Sequence, residues 1–271
     1  MESNNTAIKF FYGTALGRMI LKLIMSSHLD KAAVKYLRST LSRSYIRRFA
    51  KNNGLEFSEE ELGEFRTYRD FFLRDKNFDV DGDPTHLISP CDSWLSAFKI
   101  EEDSAFRIKG SLYKMEDLIG DCELIKKYAG GDCLIFRLCA SDYHHYCYID
   151  DCVQKENHFI PGKLHSVQPL ACETYPVYSI NRRNWCVMET VNFGDVIQTE
   201  VGALIVGGIV NHHENAEVKR GDEKGHFDLA GSTIVLFFEA GRMKLRSDLV
   251  ESLKREPEVR VEIGEAIGEK I

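Results

Sequence analysis

The sequence predicts an α+β fold: N-terminal amphipathic helices followed by a β-rich core that carries the candidate reactive site. Three observations lead there. Apolar residues recur at helical spacing through residues 7–51. After the turn cluster Asp81-Gly82-Asp83-Pro84 the texture changes to short, β-branched apolar runs separated by Gly, Asn, Asp and Pro. Helices first and strands afterwards is the order of an α+β protein, not of alternating βαβ units.

Taken in order, Leu16, Ile20, Leu21, Leu23 and Ile24 mark one helix face, with Arg18 and Lys22 between them. Ala33, Val34, Leu37 and Leu41 mark a second, with Lys31, Lys35, Arg38 and Arg43 on the polar side. Asn53-Gly54 breaks this region. Ser58 followed by Glu59-Glu60-Glu61 reads as an N-cap with an acidic first turn, opening a helix through Phe65, Tyr68, Phe71 and Phe72. The strand candidates are Leu95–Ile100, Cys133–Leu138, Val187–Val191, Gly202–Val210 and Ile234–Phe238. We divide the chain into a basic helical region, 1–65, and a core, 66–271.

Charge is uneven. Residues 1–51 carry ten Lys and Arg against two Asp and Glu; the remainder carries 25 against 40. A basic arm on an acidic body points to an acidic surface as partner, and cationic amphipathic helices suit a lipid interface. The alternative is a helix packed on its own core with a solvated cationic face. With a net charge of −7 the whole molecule is not a polyanion binder, and the arm has no nucleic-acid reading motif, so no nucleic acid is expected. The eight cysteines form no CxxC pair and several lie in apolar runs, which predicts reduced thiols. The start, Met1-Glu2-Ser3-Asn4-Asn5, lacks a basic n-region, and no apolar run reaches membrane-spanning length.

Several constellations could carry chemistry. Ser89-Pro90-Cys91-Asp92 places an acid after a proline turn, where an Asp commonly bonds its own turn. Asp142-Tyr143-His144-His145-Tyr146-Cys147 sets two imidazoles among tyrosines, and one His suits general acid–base work near neutral pH. Neither this cluster nor His212-His213-Glu214 offers a complete ligand set, so no metal is expected. Lys219–Gly225 reads as a charged turn feeding a strand, which excludes a phosphate cradle. Gly231-Ser232-Thr233 sits against Ile234–Phe238 and by itself is only a turn into a strand.

As an ordered set the motifs resemble the phosphatidylserine decarboxylase family over most of residues 65–271. They are Phe71-Phe72-Leu73-Arg74, Ser89-Pro90-Cys91-Asp92, Ile108-Lys109-Gly110 and Asp142-Tyr143-His144. Pro161-Gly162-Lys163-Leu164-His165-Ser166-Val167, Phe193-Gly194 through Val206-Gly207, Gly225-His226-Phe227 and Gly231-Ser232-Thr233 complete them. The resemblance implies that the Ser232 hydroxyl attacks the Gly231 carbonyl, giving chains 1–231 and 232–271 and a pyruvoyl cofactor derived from Ser232. That carbonyl would form a Schiff base with the substrate amine and act as electron sink. It implies His144 as proton donor and Asp92 as the acid of an Asp/His/Ser relay. The family's second relay histidine is Cys147 here, leaving His145 or Cys147 as substitute base; Ser93 and Ala230 replace glycines.

The expectation is therefore a peripheral enzyme on the cytoplasmic face of a membrane. It would convert phosphatidylserine to phosphatidylethanolamine and carbon dioxide, as a heterodimer of its own fragments that could pair further into a homodimer. Two alternatives stand beside it: a soluble amino-acid decarboxylase of the same family, and an unprocessed relative that only binds lipid.

Overall fold

The computed structural model describes residues 6–26, 29–102, 105–108, 111–203, 208–229 and 232–271. Helices come first, as expected: Thr6–Gly13, Ala15–Ser26, Leu29–Leu37 and Arg43–Asn52. The helix expected from Ser58 through Phe72 is two helices, Glu59–Glu64 and Tyr68–Phe72. Each opens on a capping box, Ser58 with Glu61 and Thr67 with Asp70. Thr67 with extended backbone starts a second helix where an uninterrupted pattern would have continued the first.

Nine antiparallel strands form the main sheet. Eight follow the path, in chain order β1 (Ser93–Lys99), β2 (Asp132–Leu138), β4 (Cys152–Gln154), β5 (Arg183–Thr190), β6 (Gly194–Val201), β8 (Ala216–Val218), β10 (Ser232–Phe238) and β11 (Val259–Val261). Their spatial order is β8-β4-β5-β6-β10-β2-β1-β11, and His158–Ile160 pairs beside β5. A small sheet is built from β3 (His145–Cys147), β7 (Gly208–Asn211) and β9 (Glu223–Asp228), in the order β7-β9-β3. The expected strand over Gly202–Val210 is different in its described part. β6 ends at Val201, and a new strand begins at Gly208. Leu204–Gly207 lie outside the described residues.

Every residue of β10 is buried. It is central to the sheet, covered on both faces, which is why its sequence reads as an unbroken apolar run. One face packs with Leu138, Val196 and Phe227, the other with Ile135, Ile197 and Val201. A third cluster joins Ile46, Phe49, Tyr68, Phe71 and Phe72 to Leu229, so the helices close over the chain just before Gly231. Arg38 and Arg69 hold Asp228 at 2.6 and 2.8 Å, tying the helical layer to the end of β9. Gly225 is required within β9: a Cβ there would run into the Val210 carbonyl of β7.

Candidate active site

Ser232 is the first residue of β10, opposite Leu138 of β2, while Thr233 lies between Arg137 and Val201. Ser232 is 1% exposed. Neither its Oγ nor the Oγ1 of Thr233 meets a hydrogen-bond partner among the described residues. A buried hydroxyl without a partner costs about 1–3 kcal/mol, so fold stability alone does not explain it. Gly231 and Ala230 lie outside the described residues. Just before them, Leu229 is buried with a left-handed backbone, φ 65°. For a branched residue that conformation costs about 1–2 kcal/mol, and the helical cluster packed on its side chain holds it there.

His144 is fully buried, with its ring 4.0 Å from that of Phe72. Its Nδ1 lies 2.9 Å from the Asp142 carbonyl, which assigns the proton to Nδ1 and leaves Nε2 as an acceptor. Nε2 has no partner among the described residues. Burial lowers its pKa to about 3, helped by the neighbouring Arg74 and His145 charges. Asp142 is itself anchored by the Cys139 amide at 2.6 Å and by Arg260 at 3.0 Å.

This makes a stability prediction. An unfolded His takes up a proton below about pH 6.5, whereas folded His144 stays neutral until about pH 3. Between those values the unfolded chain binds more protons, so this group's contribution falls as pH falls. Comparing Ser232→Ala with Ser232→Ala/His144→Gln, both expected to stay single chains, by urea denaturation, the stability difference should shrink by about 2 kcal/mol between pH 7.5 and pH 5. A difference independent of pH would refute the neutral, buried imidazole.

The other expected residues have partners of their own. Asp92 is buried, but its oxygens are taken by Lys76 at 2.7 Å and the Ile263 amide at 2.9 Å. No hydrogen bond joins it to a histidine among the described residues, and the group orienting His144 is the Asp142 carbonyl. Cys147 is fully buried, with Sγ 3.9 Å from the Ser89 carbonyl. Burial pushes its thiol up to about 12, so it carries its proton at neutral pH. His145 contacts Glu223 at 2.8 Å and the Leu73 carbonyl at 3.3 Å. Ser93 is buried and its Oγ donates weakly to the Cys91 carbonyl at 3.4 Å.

Two features escaped the sequence reading. His165 lies inside a quoted motif but drew no role. It is buried and stacked on Tyr175 at 4.5 Å, its Nδ1 lacks a partner among the described residues, and burial with the nearby Lys163 charge lowers it to about 4. The second corrects the reading of Lys219–Gly225 as a charged turn. Its last residues enter β9, and Lys224 is fully buried against Glu200 at 2.8 Å. Glu200 lies opposite Ile234, two residues from Ser232, so the ion pair occupies the same sheet face as Ser232. On the opposite face a cavity of about 250 Å³ is lined by Ser96, Phe98, Ile135, Arg137, Tyr178 and Glu258. Arg137, the cross-strand neighbour of Thr233, is held by Glu258 through two bonds of 2.9 and 2.8 Å.

A buried hydroxyl and a neutral imidazole, neither with a hydrogen-bond partner for its Oγ or Nε2 among the described residues, are the candidates for an enclosed enzyme centre. Comparison with known proteins gives the class a family. The phosphatidylserine decarboxylase model matches residues 65–269. A phosphatidylserine decarboxylase proenzyme 2 of Clostridium acetobutylicum is 42% identical, over 99% of this chain and 93% of that relative. A phosphatidylserine decarboxylase proenzyme of Clostridium beijerinckii is 38% identical, over 97% and 92%. The chain belongs to the phosphatidylserine decarboxylase family, which makes it a carboxy-lyase.

Proposed function

We propose that the chain is a proenzyme that cuts itself between Gly231 and Ser232 and then decarboxylates phosphatidylserine to phosphatidylethanolamine at a lipid surface. The observation carrying this is the Ser232 hydroxyl, buried at the head of β10 with no competing partner among the described residues. In the first step Oγ attacks the Gly231 carbonyl carbon while His144 Nε2 accepts the hydroxyl proton. The Gly231 C–N bond breaks and an ester to Oγ forms. Loss of the Cα proton expels Gly231 as a carboxylate. The dehydroalanine left at 232 tautomerises and adds water, releasing ammonia and leaving a pyruvoyl group.

The site suits that group. Position 232 is enclosed, and strands β6 and β2 grip Thr233 from both sides. A pyruvoyl carbonyl supplies an electron sink for the pair left behind by carbon dioxide. His144, held by Phe72 and the Asp142 carbonyl, keeps Nε2 free to accept a proton and hand it back. Asp92 has a positioning role, its charge acting on Asp142 and Arg260 beside the Nδ1 acceptor.

The lipid surface is supported by the helices. Leu16 and Met19 are 55% and 64% exposed, close in sequence to Arg18 and Lys22. No helix among the described residues is long and apolar enough to cross a membrane. The proposal is therefore peripheral docking on an anionic, cytoplasmic membrane face.

Denaturing intact-mass spectrometry of the purified protein tests the reading. The expected result is two fragments meeting at Gly231/Ser232. The smaller should be lighter by one ammonia than a serine-terminated fragment, and the preparation should release carbon dioxide from phosphatidylserine vesicles. One uncut chain after prolonged incubation would overturn the proposal.

A further inference from the structure

The small sheet gathers a set of side chains that the serine chemistry does not use. His145 of β3 is the register partner of His226 of β9, and Val210 of β7 faces His226 from the other side. His212 follows the end of β7 and continues the pairing, its amide bonded to the Lys224 carbonyl at 2.9 Å. Glu223 opens β9. Three strands thus bring three imidazoles and a carboxylate to one place.

We propose that His145, His212, His226 and Glu223 form a binding site for a zinc-class divalent transition metal, built without Ser232 or His144. The distances carry the argument. Glu223 Oε1 is 2.8 Å from His145 Nδ1, 3.6 Å from His212 Nε2 and 3.9 Å from His226 Nδ1. His212 Nε2 and His226 Nδ1 are 3.4 Å apart. Four donors around zinc at about 2.0–2.1 Å stand about 3.3–3.4 Å from one another. These four separations lie on either side of that value, and the ligand atoms of His145, Glu223 and His226 all fall within 4.8 Å of one another, so closing on a metal draws the side chains together.

Hydrogen bonding alone serves this cluster poorly. Three ring nitrogens converge on one carboxylate oxygen, which has room for about two donors. The facing nitrogens of His212 and His226 can share only one proton. A single cation satisfies all four groups at once. His145 also has the outer partner typical of a metal-bound imidazole. Its Nε2 lies 3.3 Å from the Leu73 carbonyl, which directs Nδ1 toward the cluster. His145 and His226 are mostly covered, while His212 and Glu223 reach solvent, leaving an entry path. Imidazoles with one carboxylate suit zinc, cobalt and nickel better than calcium or magnesium.

The test uses untagged full-length protein carrying Cys122→Ser, which removes the exposed thiol as a competing ligand. Titration calorimetry with zinc chloride should give one equivalent bound with Kd below about 10 µM. Cobalt chloride should develop the visible absorption of a tetrahedral site, and zinc should raise the melting temperature by about 5 °C. His226→Ala and His212→Ala should each weaken zinc binding about 100-fold or more and abolish the thermal shift. His212 is partly exposed, so its variant keeps the test decisive if His226→Ala does not fold. Weaker binding by the parent protein, or parent-like affinity in His212→Ala, overturns the site and leaves a hydrogen-bonded surface cluster.

Discussion

Ser232→Ala is expected to stay a single chain, with no decarboxylation of phosphatidylserine vesicles above background. The acyl shift needs an oxygen at that position, and removing a nucleophile of this kind lowers rate by about 10³-fold or more. The variant should nevertheless fold. The hydroxyl it deletes is buried and makes no hydrogen bond among the described residues, so its loss leaves no new orphan. Stability should lie within about 1 kcal/mol of the uncut parent, or slightly above it. Ser232→Cys keeps a nucleophile and should cut measurably, through a thioester. Normal cutting by Ser232→Ala would sink the serine mechanism, and failure of both variants to fold would show that Ser232 is structural.

The second large effect concerns the ion pair on the same sheet face. Lys224 and Glu200 are both fully buried. Lys224 also reaches Asn211 Oδ1 at 3.2 Å and lies 5.8 and 6.0 Å from the Tyr146 and Tyr148 ring centres. Gln198 donates to Glu200 at 2.9 Å. Burial opposes the ammonium charge, but Cys186 and Glu200 outweigh it and raise the Lys224 pKa. Lys224→Met strands the carboxylate and should cost about 3–5 kcal/mol, a fall in melting temperature of about 10 °C. The double variant Lys224→Met/Glu200→Leu should recover most of that loss, because no buried charge is left over. Urea denaturation decides it: a single variant within about 1 kcal/mol of wild type would mean that water reaches the pair.

The parts of this molecule readable in advance are those written in local chemistry. Run length and β-branching located the strands around Leu95, Cys133, Val187 and Ile234 to within a few residues. Ser58 before Glu59-Glu60-Glu61 announced a helix start because an N-cap and its acidic first turn lie within a few residues of each other. Thr67 was missed although Asp70 stands at the same spacing, because the aromatic periodicity runs straight through it. The ordered motifs identified the family, since each marks a turn or reactive group at a defined place along the chain.

The pairings were not readable. Lys224 looked like a solvated loop residue because its partner Glu200 is 24 positions away on another strand. His145, His212 and His226 looked like incomplete clusters because only the β7-β9-β3 register makes them neighbours. The hydrogen-bond partners of Asp92, Lys76 and the Ile263 amide, stand 16 and 171 positions away. Sequence alone determined the α+β class, the family and the serine on which the proposed chemistry turns, because propensity, capping and motif spacing act over a few residues. Which groups are buried, which imidazole is left neutral and which charges meet were decided by tertiary structure, because solvent exclusion and long-range strand register arise only when distant segments pack.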